Sequence, residues 1–289
     1  MAKDTTLLGI LLMLAFCALA PLLDVAAKLA AENGVPVGQI TTARFVVQTA
    51  LMLPVVLVLR LSIRLSPRAL AFASLRALFL LVSTYAFVSG IEVMPIADAL
   101  AIFFVNPLVI VILSALVLRE TVGPHRWAAV AVGFVGMLII IRPGMVEVNP
   151  GTFYALGAGV ALGSYLVMTR HIAGSADAMV LTFQTSAIGA GLMTLALPFV
   201  WHTPTPGQWV MLAGLGVVAT LGHMLITKAY EHGEASLLAP LAFTEILMAT
   251  VFGWWFFGDL PDRWTVLGVT VLVASAIYIS IRERRASAA

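Results

Sequence analysis

Runs of apolar residues, each about 20 long, follow one another along the whole 289-residue chain and are parted only by short polar breaks. A run of that length crosses a ~30 Å hydrocarbon layer as a helix. Barrel strands would be far shorter and would alternate with period two, and these runs do neither. The pattern predicts ten helices, over residues 6–30, 37–59, 69–90, 96–118, 125–142, 151–171, 178–200, 207–229, 236–257 and 263–281. The expected class is an all-α membrane protein, with the lipid bilayer as its first partner. Composition agrees: 61% of residues are hydrophobic and 10% charged, where a soluble domain carries about a quarter charged. The N-terminal run, in which Ala18 to Ala20 resembles a signal-peptidase site, stays apolar past Pro21 to Ala31 and is expected to remain as the first helix.

Charge changes the picture next. Lys and Arg are retained on the cytoplasmic side of membrane proteins. With the N-terminus inside, Arg60, Arg64, Arg68, Arg76, Arg119, Arg126 and Arg170 fall at cytoplasmic ends, and both termini are expected in the cytoplasm. Lys28, Arg142 and Arg263 fall at the other surface, and Arg44 lies inside the second helix. A net charge of +2 without a long basic run argues against nucleic acid as a partner. The lone Cys17 excludes an internal disulfide and any multi-cysteine metal site, and no cofactor or metal is expected.

The polar breaks then disclose a repeat. "LVLRETVGPHRW" (Leu116 to Trp127) is echoed by "WFFGDLPDRW" (Trp255 to Trp264). Aligning Glu120 with Asp259 superposes the fourth helix on the ninth, and Arg126 with Arg263 superposes the fifth on the tenth. Pro21 and Lys28 of the first helix fall opposite Gly163 and Arg170 of the sixth. The unit is five helices, over 6–142 and again 151–281. An odd number of crossings inverts the second copy, so the expectation is two inverted five-helix repeats.

The stretch Met94 to Gly144, with its Ala-rich helix, inner Pro107, acidic helix end at Glu120 and Gly-containing final helix, resembles the drug/metabolite transporter superfamily in its ten-helix EamA type with two tandem EamA domains. Asp259, where Glu is usual, and Ile246 after Glu245, where Pro is frequent, depart from the pattern. The resemblance implies a carrier of small metabolites in an inner membrane, export being the commoner direction.

Candidate chemistry follows from alternating access, which needs a site near the midplane where helices are interrupted at matching places. Asn106-Pro107 and Pro240 with Glu245 supply such places, and Asn106 and Glu245 are equivalent in the repeat. A charge at the bilayer centre costs ~2.5 kcal/mol or more unless paired or wet. Glu245 is therefore expected to face the cavity, as solute ligand or proton-coupling group. Asp24 and Arg44 can meet in depth, and two readings stay open for them: solute contact, or an ion pair locking the first two helices with Lys28 snorkelling to the surface. Tyr85, Tyr165 and Trp254 or Trp255 are candidate stacking surfaces; His223 is a candidate relay. Glu120 with Arg126, and Asp259 with Arg263, read as structural clasps at helix ends, and Pro107 and Pro240 as structural bends. Gly159 with Gly163, and Gly133 with Gly136, are spaced for close helix packing. The fifth and tenth helices carry no ionisable residue between their ends and are expected to be supporting or homodimer-forming.

Three function classes compete. A secondary transporter fits the midplane charges of both signs, which suit a small polar or zwitterionic solute such as an amino acid or its derivative; uptake of a vitamin or cofactor such as riboflavin or S-adenosylmethionine is the alternative. There is no phosphate-binding loop of the Walker type. A membrane-embedded enzyme has thin support, with no HExxH motif and scattered acids. A scaffold predicts that Glu245 and Arg44 can be neutralised without effect.

Overall fold

The structure, a computed structural model, describes residues 2–119, 123–142, 149–172, 175–232, 238, 241–242 and 244–287. Glu120, Pro240 and the side chain of Arg126 lie outside the described residues. The described helices are α1 (Ala2–Glu32), α2 (Val37–Val58), α3 (Pro67–Val93), α4 (Ile96–Phe103), α5 (Asn106–Leu116), α6 (Pro124–Ile141), α7 (Pro150–His171), α8 (Ala178–Ala196), α9 (Pro206–His232), α10 (Thr244–Phe257) and α11 (Arg263–Ser287). Among the described residues, seven spans are long and apolar enough to cross a membrane, α4 and α5 jointly making one; α6, α10 and α11 hold three shorter apolar stretches. The ten crossings of the hydropathy pattern are thus present, with the fourth built from two helices rather than one.

Helix ends follow local chemistry. Pro67, Pro124 and Pro150 sit in the first turns of α3, α6 and α7, where a missing N–H has no helical partner to lose. Ser66 accepts from the Ala69 amide, Asn149 from Gly151 and Asp177 from Met179, each satisfying an end donor. Gly34, at φ +80°, closes α1 by a left-handed turn in which the Val35 amide reaches back to Ala30 O. Gly258, at φ +74°, ends α10 the same way.

The interruption between α4 and α5 has a single cause. Pro107 has no N–H to give to Phe103 O, its partner four residues back. Asn106 Nδ2 takes that carbonyl instead, at 3.0 Å, while Val105 N turns to Ile102 O. The break is held against α7: a Cβ added at Gly159 would lie 2.5 Å from Phe103 O, and one at Gly163 would lie 3.0 Å from Asn106 O. The small-residue spacing in α7 therefore serves close backbone approach.

Helix contacts come in symmetry-related pairs. α1 packs on α9, and their counterparts α7 and α3 pack on each other. α2 packs on α9, and α8 on α3; α5 packs on α7, and α10 on α1. α2 with α8, α4 with α10 and α6 with α11 are their own images. This is the contact pattern of two inverted repeats. Ser66-Pro67 and Thr205-Pro206 align α3 with α9, which places Arg76 opposite Leu215. Gly136 and Gly268 let α6 and α11 touch backbone to backbone: a Cβ at either would come within 2.9 Å of the other's carbonyl oxygen. The glycine faces of these two supporting helices are occupied inside the chain.

Ten crossings bring both ends to one face, which also carries Arg60, Arg64, Arg68 and Arg119 and is termed the basic face below. The largest apolar cluster lies in the other half of the bundle, around Ala30, Ile40, Ile91, Leu100 and Leu212.

Candidate solute site

α1, α2, α3 and α9 enclose a cavity lined by Asp24, Thr41, Arg44 and Thr84, with Ile40 and Leu215 among its apolar walls. From their helix ends Asp24, Arg44 and Thr84 lie about 10–13 Å in, at 1.5 Å per residue, so all three share one depth. Arg44 Nη1 donates to Thr84 Oγ1 at 3.0 Å. Its Nε is buried with no acceptor, and Thr41 Oγ1 is buried with no partner. Asp24 lies within the electrostatic reach of Arg44. Among the described residues the only ion pairs within 4.0 Å are Lys28 with Asp259 and Arg142 with Asp262. Asp24 and Arg44 therefore face one cavity without closing on each other. Buried polar atoms are nearly always hydrogen-bonded, so the orphaned Nε and Oγ1 mark where a solute or water belongs.

About two turns along α3 from Thr84, toward the basic face, stands a group that its apparent position in the sequence disguised. Arg76, expected at the interface, is 3% exposed in the interior. Its Nε donates to Thr169 Oγ1 at 2.7 Å, its Nη1 to Leu181 O at 2.9 Å and Thr185 Oγ1 at 2.6 Å, and its Nη2 to the Tyr165 hydroxyl at 2.7 Å. The guanidinium also lies 4.7 Å from the Tyr165 ring centre. These bonds tie α3 to α7 and α8. The available signal was its distance from Pro67, which starts the helix: nine residues, or ~13 Å, carry Arg76 well inside.

The remaining expectations divide. Glu245 lies in the first turn of α10, half-buried, within electrostatic reach of Asp24 and Cys17. Its repeat mate Asn106 is 7% exposed, and its amide serves the α4–α5 break rather than the cavity. Tyr165 is buried beside Phe45 and Leu80, the neighbours of Arg44 and Thr84 in sequence or one turn away. Tyr85 does not line the cavity; it is 43% exposed, as befits the residue next to inward-facing Thr84 on a helix. Trp254 and Trp255 are exposed on the outside of α10. His223 is half-buried in α9, in the fields of Arg44 and Arg76.

Opposite the basic face, the expected clasp of Asp259 with Arg263 is replaced by another pairing. Asp259 Oδ2 accepts from Lys28 Nζ at 3.3 Å, and Nζ also donates to Met94 O at 3.1 Å and stands 4.7 Å from the Phe257 ring centre. Lys28 is 6% exposed and does not snorkel. Arg263 lies over Trp264 instead. The reason is the Gly258 turn, which directs Asp259 back toward α1. Asp262 takes the local role: it caps α11 by accepting from the amides of Trp264 and Thr265 and pairs with Arg142 at 2.7 Å. Burial works to raise the Asp262 carboxyl's pKa, but the hydrogen bonds from Thr265 and Arg142 outweigh it and hold the group below the usual carboxylate range.

The sequence profile of the EamA-like transporter family matches residues 7–142 and matches again over 149–281. The chain belongs to the EamA-like transporter family. This EamA-family protein is 32% identical over 196 residues to a riboflavin transporter of Vibrio cholerae, covering 67% of this chain and 65% of that protein. It is 26% identical to an S-adenosylmethionine uptake transporter of Rickettsia bellii, over 73% of each chain. It is 27% identical to a pseudopaline exporter of Pseudomonas aeruginosa, over 74% of this chain and 75% of that one. A crystal structure of a protein with 20% identity superposes with a TM-score of 0.67 over 98% of both chains and shares the fold. The EamA-family protein is thus a multi-pass membrane transporter of the drug/metabolite transporter superfamily, and not an enzyme.

Proposed function

We propose that this EamA-family protein is a secondary transporter that exports a small zwitterionic metabolite, an amino acid or a compound derived from one, across the inner membrane. The observation that carries the reading is the unclosed pair of Asp24 and Arg44 on one cavity. A carboxylate and a guanidinium that face each other across a space without meeting are complementary to a solute bearing an ammonium and a carboxylate. Each charge, costly when buried alone, is offset when such a solute binds. Glu245, in the field of Asp24, is the proton-coupling group. The basic face is cytoplasmic by the distribution of Arg and Lys, with both termini there.

Uptake is the second reading, and the name of the S-adenosylmethionine uptake transporter favours it. S-adenosylmethionine carries an α-ammonium and a carboxylate on one carbon and would satisfy the same pair, whereas riboflavin offers no such charges.

The test is flux of labelled amino acids, S-adenosylmethionine and riboflavin in proteoliposomes, inward and outward, with and without a proton gradient. Zwitterions are expected to move, with Asp24→Asn and Arg44→Gln each slowing them by at least about tenfold. Glu245→Gln is expected to remove the dependence on the proton gradient. Movement of riboflavin alone would overturn the zwitterion reading, and undiminished flux in both Asp24→Asn and Arg44→Gln would overturn the site.

A further inference from the structure

Both ion pairs among the described residues lie at the face opposite the basic face, and each joins one family match to the other: Lys28 to Asp259, and Arg142 to Asp262. In transporters built from inverted repeats, one repeat rocks against the other around a fixed site. Rocking that opens this face pulls on both bridges.

Lys28 is four residues from the end of α1 and Asp24 eight, so the lysine stands about 6 Å nearer that face than the carboxylate. Residues four apart share one side of a helix, and an acid one turn before a lysine is the favourable order for an ion pair. That pair is nevertheless not made. Lys28 Nζ is held instead by Asp259 Oδ2 at 3.3 Å and Met94 O at 3.1 Å, above the Phe257 ring. These contacts draw it off α1, toward the end of α3 and the turn after α10. Asp24 lines the cavity together with Ala27, the residue beside Lys28, and has no cation within 4.0 Å among the described residues. The helix that carries Asp24 thus also carries, one turn away, the same primary ammonium that a zwitterionic solute would present.

We infer that Lys28 is a tethered rival of the solute's ammonium for Asp24. While Asp259 and Met94 O hold it, Asp24 is open to solute. When the repeats part at this face, Lys28 loses Asp259, turns back one helical turn onto Asp24 and displaces the ammonium, so opening and release are one event. Lys28 then also matches the emptied site's carboxylate, which would otherwise be a lone charge inside the membrane. This deepens the zwitterion reading above and rests on it.

The experiment uses the full-length protein in detergent and a panel of L-amino acids, each paired with its des-amino analogue, the same carboxylic acid without the ammonium. Binding is read from the rise in unfolding temperature with ligand concentration. Asp259→Ala frees Lys28 as opening would. It is expected to weaken amino-acid binding by about threefold or more, because Asp24 is then occupied most of the time, and to change binding of the analogue by less than about twofold. In a Lys28→Met background the same Asp259→Ala is expected to change amino-acid binding by less than about 1.5-fold. Lys28→Gln, which keeps a donor for Met94 O, carries the cycle if Lys28→Met does not fold. An Asp259 that acts only through its field, or only as a structural tie, weakens binding by the same factor with and without Lys28. That result overturns the inference, as does equal weakening of the analogue or no weakening at all. If wild type binds amino acid and analogue equally, or Asp24→Asn keeps the preference for the amino acid, the zwitterion reading falls and takes the inference with it. If the preference is present and Asp24→Asn removes it, the zwitterion reading stands and the cycle alone decides.

Discussion

The bridge between Lys28 and Asp259 joins the first helix to the turn before the last, and its strength can be worked from the geometry. At 3.3 Å the gross attraction is about 5 kcal/mol for an effective dielectric near 20. Desolvation offsets most of it, because the Lys28 side chain is 8% exposed; Asp259, at 31%, keeps part of its hydration. The net coupling expected is about 1–2 kcal/mol, between the values for exposed and fully buried pairs. Lys28→Met also forfeits the bond to Met94 O and the contact with Phe257, so it is expected to destabilise by about 3 kcal/mol. Asp259→Asn is expected to cost about 1–2 kcal/mol alone and much less once Lys28 is gone. The assay is a double-mutant cycle on unfolding in mixed micelles, followed by the fluorescence of the chain's 6 tryptophans. A coupling no larger than the ~0.5 kcal/mol scatter of independent sites would refute the assignment of the bridge.

Three further variants test the packing and the pH response. Gly159→Ala, whose new methyl would meet the Phe103 carbonyl at 2.5 Å, is expected to destabilise by about 1–3 kcal/mol. Gly157→Ala, with open space around it, is expected to stabilise by up to about 1 kcal/mol, and comparing the two unfolding midpoints separates close approach from helix propensity. Asp262→Ala is expected to lose about 1 kcal/mol at neutral pH, chiefly the α11 cap. Because the folded state holds this carboxyl below its ordinary pKa, its contribution is present above the unfolded value and disappears as pH falls through the folded one. The difference between wild type and Asp262→Ala should therefore vanish in acid, as unfolding midpoints measured from pH 7 downward will reveal.

Much of the architecture was legible because the bilayer leaves few options: lengths, ends and the inverted repeat all follow from where apolar runs stop. Pro107 announced the fourth-helix break, since a residue without an N–H must leave a carbonyl free. What the sequence could not convey was the direction of side chains. Asn106 was read as a solute contact and instead repairs the backbone that Pro107 disrupts. Tyr85 and Thr84 are adjacent, and only the rotation of α3 decides which of them faces the cavity. Asp259 and Arg263 are near in sequence, yet the left-handed turn at Gly258 sends the carboxylate to Lys28, 231 residues away. Arg76 was grouped with interfacial charges because its acceptors are uncharged and leave no pattern in a string of letters.

The pairing of Arg76 with Leu215 across the repeat has one more consequence. The two interfaces related by the inversion, α3 with α7 and α9 with α1, have the same shape but not the same adhesive. One is joined at this place by two short bonds from Arg76, to Thr169 and Tyr165, that demand particular angles, and breaking it leaves donors with nothing to hold. The other has at the same place a leucine that is 1% exposed, whose attraction is non-directional and scales with area. The first is expected to yield abruptly, the second to slide. Duplication gave this molecule two copies of one joint, and a single residue has made one of them a latch and the other a bearing.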